Sequence, residues 1–401
     1  MKKNPQTALI HAPRKAPQFI STVQPPLFRA STIIFDNTDA LFNRHWTERY
    51  DYSYGTHGTP TTFTLGDNIA QIEGGEFSLL APSGLSAINL VNSCFLAQGD
   101  EVWVADNIYG PNMEHLRNLQ TRYGIAVKVY NPIDAETFQP SAKAKLIWLE
   151  AAGSVTLEFP DLTGLVKKAK AHSILTALDN TWGAGLAFNA FDFGNEHLSV
   201  DISVHALTKY PSGGGDILMG SVVTRDEKLH HQLFRMHALQ GISISGDDAA
   251  QIQRSLASMQ IRYEHQSQSA LTLMHWLKQQ PEFIQILHPA DEASAGHSYW
   301  KEICTDGQSA GLVSVIFKPE YTLEDIRRFC DALELFKLGF SWGGPVSLVM
   351  LYNLKDMRVL EHSHLKEGLL VRFCIGLEHS QDLIQDIKQA LQQLNQQKIK
   401  E

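Results

Sequence analysis

The chain has 401 residues, of which 43% are hydrophobic and 19% charged, so it can bury a large core, and disordered, collagen-like and coiled-coil classes are poor fits. The 34 basic residues against 43 acidic ones give a formal net charge of −9, which argues against a general electrostatic grip on nucleic acid or an anionic membrane. The cysteines are far apart and lack metal-ligand spacing, which indicates reduced thiols (Cys94, Cys304, Cys330 and Cys374).

The N-terminal segment gives two expectations. It begins MKKNPQTALIHAPRK, without the apolar stretch of a secretory signal, and no apolar run approaches the roughly 20 residues that span a bilayer. We therefore expect a soluble cytoplasmic protein. Residues 1–58 are broken by prolines and show little helical periodicity, so we expect them to lie as an extended arm across another surface.

From about residue 62 the pattern changes to alternating helices and strands. The stretch 63–73 predicts a helix that ends at Gly74 and Gly75, because glycine readily takes the left-handed conformation at a helix C-terminus. A second helix follows the turn PSG at 82–84. Short apolar runs predict strands at 101–106, 145–150, 174–179, 201–207 and 220–225. Such strands, alternating with helices, indicate a mostly parallel sheet covered on both faces.

After about residue 250 the composition changes again. A long polar helical stretch at 248–280 precedes predicted strands at 312–318 and 369–376, and an amphipathic helix begins at Ser380. We therefore predict three parts: an extended N-terminal arm, a large cofactor-binding domain and a C-terminal domain (1–58, 59–250 and 251–401).

The most informative residues lie between 174 and 220. Asp179 and Asn180 end one predicted strand, and Lys209 follows the next. In open α/β sheets ligands bind outside the carboxyl ends of the strands, so these side chains are expected to converge on one site. A simple ion pair between Asp179 and Lys209 is an equally good interpretation of these residues alone.

Four separated motifs make a family resemblance specific. They are DNTW at 179–182, HALTKY at 205–210, SWGG at 341–344 and LVRFCIGLE at 370–378. In this order they resemble the Cys/Met-metabolism family of pyridoxal-phosphate enzymes, and the resemblance covers almost the whole chain. It implies an α/β fold of the aspartate-aminotransferase-like fold type I, with a large domain on a mostly parallel sheet and a smaller α/β C-terminal domain.

The resemblance implies pyridoxal 5′-phosphate as the cofactor. Lys209 would hold its aldehyde and later take the Cα proton of the substrate, since both tasks need a primary amine. Asp179 would keep the ring nitrogen protonated, because a nearby carboxylate favours a cation. Tyr109, in NIYGP, matches a tyrosine that stacks on the ring, although a lone tyrosine after a strand is often a packing residue.

The phosphate group would be held by a helix N-terminus. Family members place it at the turn formed here by Ser83, Gly84 and Leu85, and Thr208 would add a hydroxyl. An ordinary N-cap serine followed by a turn glycine is the alternative. The family often has a serine three residues before the lysine, and this chain has Ala206 there, so one phosphate contact is expected to be missing.

Tyr54, in YGTHGTPTTF, matches a tyrosine that reaches the cofactor phosphate in the active site of the neighbouring subunit. The resemblance therefore implies active sites shared within dimers, and a homotetramer built from such dimers. The arginine expected two positions later is replaced by Thr56, which cannot supply a charged bidentate fork. His57 and the other basic residues of the arm are candidates to replace the charged contact to the phosphate that the arginine would make.

Arg372 matches the arginine that clamps the α-carboxylate of the substrate, and a structural salt bridge is the alternative. Ser341 and Trp342 would border the same pocket, with Tyr54 added from the partner. The substrate would be a small amino-acid thioether, and neither nucleic acid nor membrane is an expected partner.

Within the family, the enzymes that act at the γ-carbon usually lack a tryptophan at the position of Trp342. Trp342 therefore favours the enzymes that convert L-cystathionine to L-homocysteine, pyruvate and ammonia. This is a reaction of methionine biosynthesis and transsulfuration. A γ-lyase or γ-synthase, and a cofactor-binding regulator with little turnover, are the alternatives. The histidine motifs at 230–231 and 362–364 lack converging ligands, so they are interpreted as solvated, and no metal is predicted.

Overall fold

The computed structural model of the protein describes residues 5–10, 22–45, 50–360 and 364–398. None of the helices in these ranges combines the length and the apolar character needed to cross a bilayer. The helices are α1 Pro5–Ile10, α2 Thr38–Phe42, α3 Pro60–Glu73, α4 Gly84–Phe95, α5 Gly110–Tyr123, α6 Leu162–Ala171, α7 Glu227–Leu239, α8 Gly246–Ser255, α9 Met259–Leu277, α10 His297–Ile303, α11 Leu323–Asp331 and α12 Ser380–Lys398.

The strands form two sheets. They are β1 Phe77–Ala81, β2 Glu101–Ala105, β3 Ala126–Tyr130, β4 Ala144–Glu150, β5 Leu175–Asp179, β6 Ile202–His205, β7 Gly220–Thr224, β8 Phe283–Leu287, β9 Leu312–Phe317, β10 Lys337–Leu338, β11 Leu348–Asn353 and β12 Leu369–Cys374. The first sheet has seven strands in the order β1-β7-β6-β5-β4-β2-β3, and the second has five in the order β10-β11-β12-β9-β8.

The seven-stranded sheet is mostly parallel, as the sequence predicts. β7 pairs antiparallel with both β1 and β6, while β6, β5, β4, β2 and β3 pair in parallel. Every residue of β2 and of β7 is buried, which requires cover on both faces of the sheet. Helices α3, α4 and α6 supply part of that cover. The carboxyl ends of β4, β5 and β6 therefore meet at one edge.

The five-stranded sheet is the smaller one and is packed by α9, α11 and α12. Its core runs from Ala270 to Leu394 along the chain. The apolar face predicted for α12 is buried in that core, namely Leu383, Ile384, Ile387, Leu391 and Leu394. The α/β fold class with a second, smaller sheet is thereby confirmed.

Helix ends follow the capping chemistry of the sequence, with one difference. α3 ends at Gly74, which has a φ of 79°, and α4 begins after Ser83, whose hydroxyl accepts a hydrogen bond from the Ser86 N–H. The stretch expected to be helical over 248–280 is instead divided into α8 and α9 by a 3₁₀ turn at Leu256–Ser258. The polar pattern of this stretch contains neither glycine nor proline to mark the break.

The described part of the N-terminal segment packs against the rest of the same chain, but several of its apolar side chains stay exposed to solvent. The Phe28 N–H donates to Thr61 Oγ1 over 2.8 Å, and an isolated bridge joins Thr32 to Tyr54. Two short helices, α1 and α2, also belong to this segment, which the expectation of an extended arm did not include. Ile34 is 90% exposed and Phe42 78% exposed. The boundaries at 58 and 250 stay predictions.

The histidine motifs are not simply solvated, which corrects our interpretation. His230 is buried and stacks on Phe77, with ring centroids 4.8 Å apart. His364 Nε2 lies 3.0 Å from Glu158 Oε1. Residues 362 and 363 lie outside the described residues. Each imidazole thus packs against or hydrogen-bonds a residue distant in sequence, which is Phe77 for His230 and Glu158 for His364.

Candidate active site

A cavity of about 160 Å³, open to solvent, lies where β4, β5 and β6 end and α4 begins. Most of the side chains predicted for the site line it, namely Ser83, Gly84, Leu85, Tyr109, Asp179, Thr208, Lys209 and Trp342. The structure thus brings together residues that are up to 259 positions apart in the chain, and it does so because parallel strands end at a common edge.

Lys209 lies at the centre of this group. Its Nζ donates to Ser341 Oγ over 2.9 Å and lies 4.5 Å from the centroid of the Trp342 ring. Burial, followed by the positive charge of Arg372, lowers the pKa of the Lys209 amine to about 8. The neutral form, which a proton acceptor must have, is therefore far more populated near physiological pH than in an ordinary lysine.

Arg372 reaches the same place from β12. Its Cζ lies 5.3 Å from the centroid of the Trp342 ring and 5.4 Å from that of Tyr352, and its Nη1 donates to the carbonyl of Ser154 over 2.7 Å. The Nε of Arg372 and the indole Nε1 of Trp342 are buried donors without an acceptor among the described residues. Since unsatisfied buried donors are costly, the two groups fit a ligand that brings an anion.

The N-terminus of α4 faces the cavity. The first N–H groups of a helix have no intrahelical acceptor, so those of Gly84 and Leu85 are available to an anion. A Cβ at position 84 would lie 2.6 Å from the Cβ of Ala206, so the close approach of the two backbones requires glycine here. The Thr208 hydroxyl donates to the Met219 carbonyl over 3.2 Å and accepts from the Met219 N–H over 3.1 Å.

Two acidic side chains face the cavity from adjacent strands. Asp179 Oδ1 accepts the Thr181 N–H over 3.0 Å, and burial raises the pKa of the Asp179 carboxyl. Glu150 is paired with Asp179 in the strand register, and its carboxylate accepts the N–H groups of Tyr109 over 2.6 Å and of Ser154 over 3.0 Å. Burial and, secondly, the charge of Asp179 raise the pKa of Glu150.

Tyr54 is the predicted site residue that the chain does not bring to its own cavity. Its side chain is 44% exposed, and its hydroxyl lies 3.2 Å from Ser31 Oγ. His57 Nδ1 lies 2.8 Å from Ser53 Oγ, and Thr56 is half-buried. The placement of Tyr54 is compatible with a role in a second subunit, which stays a prediction.

Sequence reasoning missed Glu150, Ser154 and Tyr352. Glu150 could have been found, because it ends the strand predicted at 145–150 and so reaches the same edge as Asp179. Ser154 and Tyr352 carry no local signal. Ser154 acts through a backbone carbonyl, and Tyr352 lies on β11 in the other sheet, so only the packing of the two sheets reveals them.

Comparison with known proteins gives relatives that match nearly the whole chain. The family model described as Cys/Met metabolism PLP-dependent enzyme matches residues 6–392. A putative cystathionine beta-lyase of Rhizobium johnstonii is 36% identical over 389 residues, which are 95% of this chain and 94% of that protein. A cystathionine beta-lyase of Bordetella avium is 35% identical over 370 residues, 91% of each chain.

A solved structure has the same fold over nearly the full length. It is the cystathionine gamma synthase of Xanthomonas oryzae pv. oryzae in complex with cystathionine. Its TM-score is 0.84 at 25% sequence identity, and the match covers 98% of this chain and 99% of that one.

Proposed function

This chain belongs to the Cys/Met-metabolism family of pyridoxal-phosphate-dependent enzymes, and within that family we propose that it cleaves L-cystathionine by α,β-elimination. The products are L-homocysteine, pyruvate and ammonia, and we place the reaction in the cytoplasm. The observation that carries the proposal is the grouping of Lys209, Ser341, Trp342 and Arg372, with two buried donors left open for a carboxylate.

The residues present fit the cofactor of the family. Lys209 would hold the aldehyde, Asp179 the ring nitrogen and Tyr109 the face of the ring. The turn at 83–85 would hold the phosphate, because its residues line the cavity and the first N–H groups of a helix have no intrahelical acceptor. When bound, pyridoxal phosphate withdraws electrons from the substrate and so acidifies the proton on Cα.

The protein side of the mechanism starts with orientation. The guanidinium of Arg372 can bind the α-carboxylate with two parallel hydrogen bonds, which fixes the direction of the Cα–H bond. Trp342 Nε1 offers a further donor beside it. Ser341 Oγ holds Lys209 Nζ at 2.9 Å, so the amine has a defined position when it accepts the Cα proton.

Lys209 then returns a proton to the sulfur that leaves. The Cβ–S bond breaks, its electron pair stays on sulfur, and the protonated sulfur departs as homocysteine. Water hydrolyses the three-carbon enamine that remains, which gives pyruvate and ammonia. Cystathionine and one water molecule thus account for all the atoms of the products.

The deciding experiment is product identity. Purified protein with bound cofactor is incubated with L-cystathionine, and the oxo acid and the thiol are separated. Equal amounts of pyruvate and homocysteine are expected. Formation of 2-oxobutyrate and cysteine would instead assign γ-elimination, the alternative favoured by the likeness to the Xanthomonas gamma synthase. Cofactor binding without either oxo acid would indicate a regulator.

We also propose that active sites are shared between subunits, in a homotetramer built from dimers. The exposed apolar side chains of the 22–45 segment, such as Ile34 and Phe42, support burial against a second copy. Tyr54 is exposed and would then face the partner's cavity. A fully active monomer in sedimentation measurements would contradict shared sites.

Replacing Thr56 with arginine tests this arrangement. Charged hydrogen bonds to a phosphate contribute about 1.5–3 kcal/mol, so Thr56→Arg is expected to tighten cofactor binding about tenfold or more. The measurement is a titration of apo protein with pyridoxal phosphate. Thr121→Arg, on the exposed surface of α5, is the matched control for added charge. Unchanged affinity in Thr56→Arg would mean that the phosphate is held elsewhere.

Arg372→Lys is expected to impair substrate use and leave cofactor binding intact. A lysine cannot form the planar two-bond clamp, so we expect kcat/KM for cystathionine to fall about 100-fold or more, while the visible absorption of the cofactor is unchanged. Arg225→Lys is the control, because Arg225 donates to the carbonyls of Gly74 and Phe191 and is not among the described residues that line the cavity. Normal kinetics in Arg372→Lys would remove Arg372 from the site.

A further inference from the structure

Glu150 and Asp179 form a pair of carboxyl groups at the floor of the cavity. They are direct neighbours in the register of β4 and β5, so their side chains project from the same face of the sheet, and both line the cavity. Glu150 is 4% exposed. Asp179 is half-buried, so the two groups lie side by side at the inner end of a cavity that opens to solvent.

The bonds of Glu150 connect it to two parts of the site. One carboxylate oxygen accepts the Tyr109 N–H, and Tyr109 is the residue placed to cover the cofactor ring. The other accepts the Ser154 N–H, and the carbonyl of Ser154 receives Nη1 of Arg372. Glu150 thus fixes the backbone on which the ring contact and the substrate clamp both depend.

Neither of these donors carries a charge. Burial and the charge of Asp179 raise the pKa of Glu150 to about 8, so Glu150 is largely neutral near pH 7 until a cation beside Asp179 lowers that pKa. A cation placed against Asp179 would be attracted by two carboxylates. The titratable groups that face this pair are Tyr109, Tyr130, His205 and Lys209.

We propose that Glu150 is a positioning residue for the cofactor: it anchors Tyr109 and adds a second negative charge that favours a protonated ring nitrogen. The proposal depends on the family's cofactor and not on which thioether is cleaved. A failed elimination assay would therefore leave it standing, and its own test does not use turnover.

The test follows the visible absorption of the bound cofactor as a function of pH in wild type, Glu150→Gln and Glu150→Asp. In Glu150→Gln the loss of charge is expected to lower the pH at which the cofactor absorption band titrates by about one unit. The affinity for the cofactor is expected to fall about tenfold. Glu150→Asp keeps the charge but is one methylene shorter, so its titration is expected to stay within about 0.3 units of wild type, while its visible circular dichroism changes as Tyr109 is released.

Glu101→Gln is the matched control for loss of a buried carboxylate. Glu101 is 7% exposed at the start of β2, accepts hydrogen bonds from Trp103 and Ser141, and is not among the described residues that line the cavity. Glu101→Gln is expected to lower the melting temperature without moving the absorption titration. An unchanged titration and affinity in Glu150→Gln, or equal shifts in Glu150→Gln and Glu101→Gln, would overturn the proposal.

Discussion

Lys209→Ala is expected to lower the rate of cystathionine cleavage by more than about 10³-fold, the upper part of the range for loss of a general acid–base group. No other described amine lies within hydrogen-bonding distance of Ser341, so no side chain can take over at the same position. The steady-state release of pyruvate is the measurement. A small primary amine in the buffer should restore part of the rate, because it can enter the space that the side chain leaves.

Two further measurements separate the chemical role of Lys209 from a structural one. Borohydride reduction of the yellow holoenzyme, followed by peptide mapping, is expected to place the cofactor on Lys209. Lys167→Ala, which removes an exposed lysine paired with Glu196, is the control and should retain full activity. Label on a different lysine, or a colourless protein after incubation with the cofactor, would contradict the assignment.

The low pKa of Lys209 also predicts a pH dependence. Only the neutral amine accepts a proton, and burial beside Arg372 brings its pKa down to about 8. The rate should therefore rise with pH through about 8, well below the usual range of lysine near 10.4. In the free holoenzyme Lys209 holds the cofactor, and it is a free amine only after the substrate has taken its place, so kcat is the quantity to follow. A pH profile of kcat that is flat between 7 and 9 would show that another group accepts the proton.

Much of the seven-stranded sheet could be predicted because its signals are local. The strands at 101–106, 145–150 and 174–179 are continuous apolar runs between helices, and this pattern is typical of a buried parallel sheet. Asp179 and Lys209 could then be placed at one edge by the general rule for such sheets. The same rule applied to Glu150 would have added a third residue.

Contacts between the two sheets could not be predicted in this way. Arg372 looked unusual in an apolar strand, but its partner is a backbone carbonyl 218 positions away, at Ser154. His230 carries no sign in its neighbours that Phe77 will stack on it. Such pairings depend on how distant segments pack, and a single sequence contains no periodicity that reports them.

Asp179→Asn is the second substitution with a large expected effect. We expect kcat to fall about 10²- to 10³-fold, because an opposite charge in a buried site changes a pKa by about 1–3 units and the amide carries none. The ring nitrogen would lose its proton, and the electron-withdrawing power of the cofactor would fall with it. Turnover and the pH titration of the cofactor band are the measurements.

The fold should survive this change. Asparagine keeps an oxygen that can accept the Thr181 N–H. The pKa of Asp179 is raised in the folded protein, so the charged form opposes folding at neutral pH, and removing the charge should not lower the free energy of unfolding of the apo protein. A melting temperature equal to or above that of wild type is the expected result.

Asp201→Asn is the matched control. Asp201 precedes β6 and accepts two hydrogen bonds from Thr176 near the start of β5, at the opposite end of the sheet from the cavity. The substitution Asp201→Asn should lower the free energy of unfolding, since Oδ2 of Asp201 accepts both bonds, and it should leave kcat near normal. Loss of activity in Asp201→Asn as large as in Asp179→Asn would mean that the strands, and not the charge, are responsible.

Near-normal turnover in Asp179→Asn would show that another group keeps the ring nitrogen protonated. Glu150 is the described carboxyl group next to it in the strand register. In that case Glu150→Gln should produce the large loss of kcat expected here for Asp179, and the double variant should be no worse than Glu150→Gln alone. If both single variants lose activity and the double variant loses more, the two carboxylates both stabilise the cation, as their neighbouring positions in the strand register predict.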